Sequence, residues 1–288
     1  MDRGTTTRRQ ESCGFLVLLG ALICASCGSS SPTGPSVNRP QRTVSGSVQD
    51  AAFQPIAGAQ VAIVGTGLST VTGTDGRFEL TGGISSPLTV RAAKEGYVTE
   101  TQAFDWPPCT TLPGSAQCIV STHLGTVFRL ESLGQAVDIS GDYTVTLSAD
   151  NACSDLPSEA RSRTYNASIV PDSPARTRYS ITIQTPAGRD QSEGFEAGVT
   201  GDFLALRFRL DPGLVDQIAP NTYVAAGGGA SATVAPGASL IAATFDGYIE
   251  YCRLKDSSAF PREGCSPDPT VNFASCQSRN HRLTFTRR

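Results

Sequence analysis

From Thr43 to Phe285 apolar residues recur at every second position, in run after run. Tyr143, Val145 and Leu147 alternate with Thr144, Thr146 and Ser148. Tyr179, Ile181 and Ile183 alternate with Ser180, Thr182 and Gln184. Leu204, Leu206, Phe208 and Leu210 alternate with Phe203, Ala205, Arg207 and Arg209. A period of two sends one set of side chains to each face of an extended strand, so these runs are strands with one face on a core. The fold class is therefore all-β. The one helical expectation is Asp211 to Ile218, a short cap with Asp211 as N-cap and Pro212 at the first helical position.

At 288 residues the chain has room for about two domains. Residues 41–132 form the first. Its strands are Thr43–Val48, Ala59–Val64, Phe78–Leu80, Leu88–Ala93, Tyr97–Thr101 and Gly125–Leu130, punctuated by turns at Pro55–Gly58, Asp75-Gly76 and Glu95-Gly96. Short strands at this spacing in about 90 residues make a small β-sandwich. Residues 136–288 form the second domain. Phe195–Thr200 and the Leu204 run flank the Gly201-Asp202 turn, Thr222–Val234 and Ser239–Leu254 are long arms about Pro236-Gly237, and Leu283–Phe285 is the last strand. About eight antiparallel strands joined in sequence give a closed or nearly closed meander barrel, lipocalin-like in layout, or a second sandwich. Gly227-Gly228-Gly229 inside a strand pattern implies a bend or a close approach by another chain.

The amino terminus reads as an address. Arg3, Arg8 and Arg9 precede Phe15–Ala25, eleven residues without charge. That run is too short to span a bilayer, which takes about 20 apolar residues, and it fits a secretory signal peptide over residues 1–26. The stretch Ile23-Cys24-Ala25-Ser26-Cys27-Gly28 resembles a bacterial lipoprotein cleavage site, with Cys24 where Leu is usual. The resemblance implies that Cys27 is acylated as a lipid anchor. Because Gly28 is not Asp, it also implies an outer-membrane lipoprotein, periplasmic or surface-facing. The alternative is an ordinary signal peptide cut nearby, with Cys27 incidental. Residues 27–40 are a Gly/Ser/Pro tether with no apolar periodicity.

Of nine cysteines, Cys13 and Cys24 leave with the signal and Cys27 is the anchor, so six remain: Cys109, Cys118, Cys153, Cys252, Cys265 and Cys276. An even set in an oxidising compartment reads as three disulfides, and sequence does not choose among about 15 pairings. The preferred arrangement closes Cys109–Cys118 and Cys252–Cys265 locally and ties the ends of the second domain through Cys153–Cys276. A zinc site lacks the spacing, since no CxxC occurs and neither His123 nor His281 neighbours a cysteine pair.

In the first domain, four pieces stand in a particular order: Val44-Ser45-Gly46-x-Val48, Pro55-x-x-Gly58-Ala59-x-Val61, Thr74-Asp75-x-x-Phe78 and Gly96-Tyr97. This order resembles the carboxypeptidase regulatory-like domain, whose fold is a transthyretin-like β-sandwich. The resemblance implies a non-catalytic accessory module. Asp75 is a turn residue rather than a metal ligand. The departure from the pattern is an insert from Asp105 to Ile119, carrying Trp106, Cys109 and Cys118, which is a candidate binding loop or simply a stapled insertion. The second domain looks like an uncharacterised class of secreted bacterial β-rich proteins, with no activity implied.

Net charge is −3, with 23 basic and 26 acidic residues, which argues against a nucleic-acid partner. No GxSxG, HExxH, phosphate-binding or dinucleotide motif occurs, so no catalytic residue, metal or cofactor is expected. Asp246 and Glu250 are a weak carboxylate pair, best explained by solvation. Arg207 and Arg209, with Arg161 and Arg163, would bind an acidic or sugar ligand if they pointed into the barrel. The apolar Leu204–Leu210 stripe makes an outward Arg207 face the expectation. The function expected is an envelope-anchored binding or interaction module with a carbohydrate or protein partner. The alternatives are a small-molecule carrier using the barrel, or a structural spacer. No side-chain set identifies the ligand.

Overall fold

The computed structural model describes residues 41–106, 110–111, 118–119, 122–185, 190–208, 213–253, 265 and 272–288. The first strands in the chain are β1 (Gln41–Asp50), β2 (Gln60–Ile63), β3 (Ser69–Val71), β4 (Arg77–Gly83), β5 (Leu88–Ala93) and β6 (Glu100–Phe104). The short pair β7 (Thr110–Thr111) and β8 (Cys118–Ile119) follows, and then β9 (His123–Leu130). Two sheets form, β4-β1-β9 and β3-β2-β5-β6. The central β1 pairs antiparallel with β4 and parallel with β9. Alternate residues face inward, so Val44, Val48, Val61, Phe78, Val90 and Phe128 share one core between the sheets. The β-sandwich expected for this stretch is the observed architecture. Tyr97 lies ahead of its expected strand, in an isolated bridge to Ser132, and the strand itself runs from Glu100.

The second half contains β10 (Gly141–Ser148), the four-residue helix α1 (Ser158–Arg161), β11 (Ser162–Pro171), β12 (Arg178–Gln184), β13 (Asp190–Thr200) and β14 (Phe203–Phe208). It continues with β15 (Leu214–Ala219), β16 (Thr222–Thr233), β17 (Leu240–Arg253) and β18 (Asn272–Arg287). Neighbours pair antiparallel from β14 back to β10, then through β18, β17 and β16. Pairing of β14 with β16 closes the ring, giving an eight-stranded barrel. Closure pairs the outer edge of β14 with β16.

The segment expected to be a helix, Asp211 to Ile218, is corrected where it is described: Leu214–Ala219 is strand β15. It pairs with the first half of β16, Leu214 opposite Ala226 and Gln217 opposite Tyr223. Leu214, Val215 and Asp216 are all buried, so both faces of the strand have something to cover. That two-sided burial and the ladder override the local capping signal. One edge of β16 thus serves two partners, β15 along its first half and β14 along its second. The switch falls at the glycine triplet. Gly228 has φ 139°, and a Cβ there would lie 2.3 Å from the Asp246 carbonyl oxygen. Of the two readings of this triplet, the close approach is present, and it comes from β17 of the same chain.

The barrel interior is a single apolar cluster that includes Tyr143, Ile181, Phe195, Leu204, Phe245 and Phe285. Tyr143 and Phe285 meet edge-on, 6.1 Å between centroids, and the Tyr143 hydroxyl donates to the Ile139 carbonyl at 2.8 Å. Each large side chain buried this way contributes about 1.5–3 kcal/mol. Side chains fill the barrel as a core.

The two barrel ends differ. At one, tight connections join β11 to β12, β13 to β14 and β16 to β17. From the other leave α1, the β15 hairpin and the connection of β17 to β18. Both described disulfides, Cys153–Cys276 and Cys252–Cys265, sit at that second end. The Cys109–Cys118 pairing lies outside the described residues.

Candidate functional site

The sandwich docks on the barrel through a turn. Residues Asp50 to Gln54 fold back on themselves: Asp50 Oδ1 accepts the Gln54 N–H at 2.8 Å, and Phe53 takes φ 62°. The turn lies on β13 at Gly198, where a Cβ would sit 1.6 Å from the Ala51 carbonyl oxygen. Only a residue without a side chain permits this contact. Around it, Arg129 donates to Glu196 at 2.7 Å and to the Ala51 carbonyl at 2.9 Å. Arg207 also donates to Glu196. Both guanidiniums stack on the Phe53 ring, 4.0 and 4.1 Å from its centroid. Burial lowers the Arg129 pKa against the opposing pull of Glu196. Burial alone would raise Glu196, but the Arg207 hydrogen bond and the two cationic neighbours outweigh it and hold the carboxyl below its usual range.

Beside this joint a cleft of about 320 Å³ opens between the sandwich rim and the β11–β12 turn. Val98, Thr99, Glu100, Glu131, Ser173 and Arg178 line it, together with Arg129, Asp172 and Pro174. Arg178 donates to Glu131 at 2.8 Å. Glu100 accepts the Arg129 backbone N–H at 2.8 Å and the Gln102 amide at 2.7 Å. Ser173 is 7% exposed and its hydroxyl has no hydrogen-bond partner; the buried Nε of Arg129 has none either. Clefts between packed units, with a few polar groups converging, are where small ligands bind.

At the elaborated barrel end, Arg163 faces inward on the same side of β11 as Tyr165. It reaches across the mouth to Asp216 Oδ2 with Nη2 at 2.7 Å and Nε at 3.2 Å. The Tyr165 hydroxyl donates to the same oxygen at 3.2 Å. Burial and the Asp216 charge push the Tyr165 pKa far up. Asp216 is fully buried, so this group closes the mouth with a paired charge.

The remaining sequence candidates separate. Arg207 faces outward, as expected, and Arg161 caps the Leu156 carbonyl. Arg209 lies outside the described residues, as do Cys27 and the body of the Asp105–Ile119 insert. Trp106, the aromatic of that insert, is 6% exposed and belongs to the sandwich core, where Arg42 stacks on it at 4.7 Å. Asp75 caps its own turn by accepting the Arg77 N–H at 3.0 Å. Asp246 pairs with Arg279, and Glu250 accepts the Cys265 N–H. Four residues along a strand span about 13 Å, wider than the roughly 5–9.5 Å between glycosidase carboxylates. His123 bonds Ser45 at 3.0 Å. His281 lies within β18; it is fully buried, and its Nδ1 accepts the Asp150 N–H at 3.0 Å. Among the described residues, no three His, Cys, Asp or Glu side chains converge as metal ligands. The joint and the cleft were missed by sequence reasoning. The clearest trace of them is Gly198, a glycine in the middle of a strand pattern.

A filled barrel clamped to a small sandwich is the architecture of an all-β protein whose chemistry sits on its surfaces and joints. Residues 43–113 match the family model of the carboxypeptidase regulatory-like domain. No curated protein matches the chain. Among solved structures, a chain of a type II cohesin–X–dockerin complex from Acetivibrio cellulolyticus is 22% identical, over 32% of this chain and 58% of its own, with a TM-score of 0.24. This chain thus spans somewhat over half the length of that relative. A membrane-associated protein of unknown function from Bacteroides fragilis is 9% identical, over 85% of this chain and 97% of its own, with a TM-score of 0.24. A streptococcal ancillary pilin is 11% identical, over 62% of this chain and 56% of its own, with a TM-score of 0.22.

Proposed function

We propose that this protein is a non-catalytic lipoprotein of the cell envelope, anchored through Cys27, that acts as an interaction module. The observation that carries this reading is the filled barrel. A carrier needs an empty interior, and here Tyr143, Phe195, Phe245 and Phe285 occupy it. Binding then falls to outer surfaces and to the joint, which two arginines and Glu196 hold in a fixed geometry. The Gly/Ser/Pro tether at residues 27–40 supports display at a distance from a membrane.

The test is Cys27→Ser in the exporting bacterium. The acylated protein partitions with membranes, and the variant is released into the soluble envelope fraction. Chemical cross-linking of the anchored protein in intact cells is expected to capture a defined envelope partner. An unchanged membrane fraction in the variant would remove the lipoprotein reading. Absence of any cross-linked partner or bound glycan would leave the spacer.

A further inference from the structure

We propose that the open edge of β9, centred on Gly125, accepts an added strand from an extended peptide with an aromatic side chain opposite that glycine. The inference rests on the reading of the protein as an interaction module and names the kind of partner it takes.

Backbone bonding comes first. The Thr43 N–H donates to the Thr122 carbonyl at 2.8 Å, and β1 runs parallel to β9 with Thr43 beside His123. In that register β9 bonds to β1 through Leu124, Thr126 and Phe128, and the alternate residues turn their N–H and C=O groups to the outer edge. Two side chains of β6 cover one half of that edge. Gln102 Nε2 donates to the Val127 carbonyl at 3.0 Å, and Glu100 Oε2 accepts the Arg129 N–H at 2.8 Å. Among the described residues, none bonds the Gly125 N–H, the Gly125 carbonyl or the Val127 N–H. The far edge of the same sheet is protected, since the Gly73 N–H occupies the Arg77 carbonyl on β4. An edge with no lysine, proline or bulge over His123–Val127 is a template for another strand.

The face beside that edge comes second. A groove of about 1040 Å³ crosses the outer surface of the β4-β1-β9 sheet. Gly125 and Val127 of β9, Ser45 and Ser47 of β1, and Arg77 and Glu79 of β4 help to line it. Ser45 pairs with Gly125 and Ser47 with Val127, so the floor next to the edge holds small, uncharged side chains. A Cβ at Gly125 would meet no atom within 4 Å, and Val127 is 51% exposed. An added strand sends every second side chain onto this face. A ring opposite Gly125 fills the space that the glycine leaves and packs on Val127 and the serine floor. A charged side chain there would find no counter-charge in that floor. Main-chain bonds on a free edge, with room beside it for alternate side chains, are the requirements of strand addition.

The experiment uses the oxidised, exported Cys27→Ser chain and the fluorescein-labelled peptide KTVTYTVTK, whose alternation puts the tyrosine on the groove face. Binding is read by anisotropy and by the backbone amide signals of Gly125 and Val127 in NMR. With the tyrosine replaced by glycine, affinity is expected to fall about fivefold, the size of one strong cross-strand pair. Methylation of the tyrosine backbone nitrogen is expected to abolish binding, because that N–H faces Gly125. Gly125→Pro removes an outward donor while the bonds to β1 run through the alternate residues, and it weakens binding about tenfold or more. Gly125→Thr keeps the edge donor and occupies the empty space, so it binds the tyrosine and glycine peptides equally. Three results overturn the proposal: the tyrosine peptide does not bind, its methylated form binds as well, or Gly125→Thr keeps the fivefold preference. A folded Gly125→Pro chain with undiminished binding also overturns it. Dimers that form with rising concentration and vanish in Gly125→Pro would assign the edge to a second copy instead. Failure of the peptide with a cross-linked envelope partner retained sinks this inference alone. Loss of both sinks the interaction module.

Discussion

Phe53 holds a left-handed backbone, which costs an L side chain about 1–2 kcal/mol. Two guanidiniums stacked on its ring return about 0.5–2 kcal/mol each when desolvated. The strained turn persists because the joint over-determines it. His281 is the second instructive residue. Its Nδ1 must stay unprotonated to accept the Asp150 N–H, and burial lowers its pKa from the usual 6.5 despite the opposing backbone of Cys276 and charge of Asp150. The unfolded chain therefore binds a proton that the fold refuses. Stability contributed by His281 is full above about pH 6.5 and is lost as pH falls below it. Glu196 and Asp150 are held low, so their contribution is lost only at more acid pH, as they protonate. Urea melts are expected to show a fall in stability as pH drops below about 6.5. His281→Gln, which keeps an acceptor, flattens that segment. An unchanged slope in the variant would assign the effect elsewhere.

At the scale of elements, the elaborated barrel end is stapled twice. Cys153–Cys276 closes 123 residues and Cys252–Cys265 closes 13. In the chain-entropy account these constrain the unfolded chain by about 5 and about 3 kcal/mol. Cys153→Ala with Cys276→Ala is therefore expected to lower unfolding free energy more than Cys252→Ala with Cys265→Ala, as read by guanidinium denaturation. The reverse order would show that local strand support, not loop length, sets the contribution. The strand β15 makes a related point. Its Asp216 accepts from Arg163 and Tyr165 across the mouth, so a segment that alone would cap a helix is fixed as a strand by partners 53 and 51 residues away.

At the scale of the molecule, Arg39–Arg288 forms one compact unit. Contact at Gly198 is what lets the sandwich and barrel meet. Gly198→Val places a branched side chain where a Cβ alone would lie 1.6 Å from the Ala51 carbonyl. The expected outcome is two folded halves joined by residues 131–140. Small-angle scattering would show a larger radius of gyration, limited proteolysis would cut in that stretch, and far-UV circular dichroism would keep its strand signal. An unchanged radius would mean that the Arg129–Glu196–Arg207 network holds the halves without the turn.

Periodicity is a local property, and local properties were readable. Alternation at Tyr143–Leu147 and Tyr179–Ile183 announced strands whose inward faces are now the barrel core, and Asp75-Gly76 announced its turn. Outward Arg207 followed from the apolar stripe beside it. The rest depends on residues far apart in the chain. Arg129 and Glu196 are 67 positions apart, and neither carries a sign of the other. Trp106, an aromatic in an insert, resembles a binding residue until the sandwich is seen to use it as core. The cleft, the capped mouth and the strand at Leu214–Ala219 exist because closure of the ring and docking at Gly198 bring those side chains together. Alternation along one strand carries no information about which distant strand it will face.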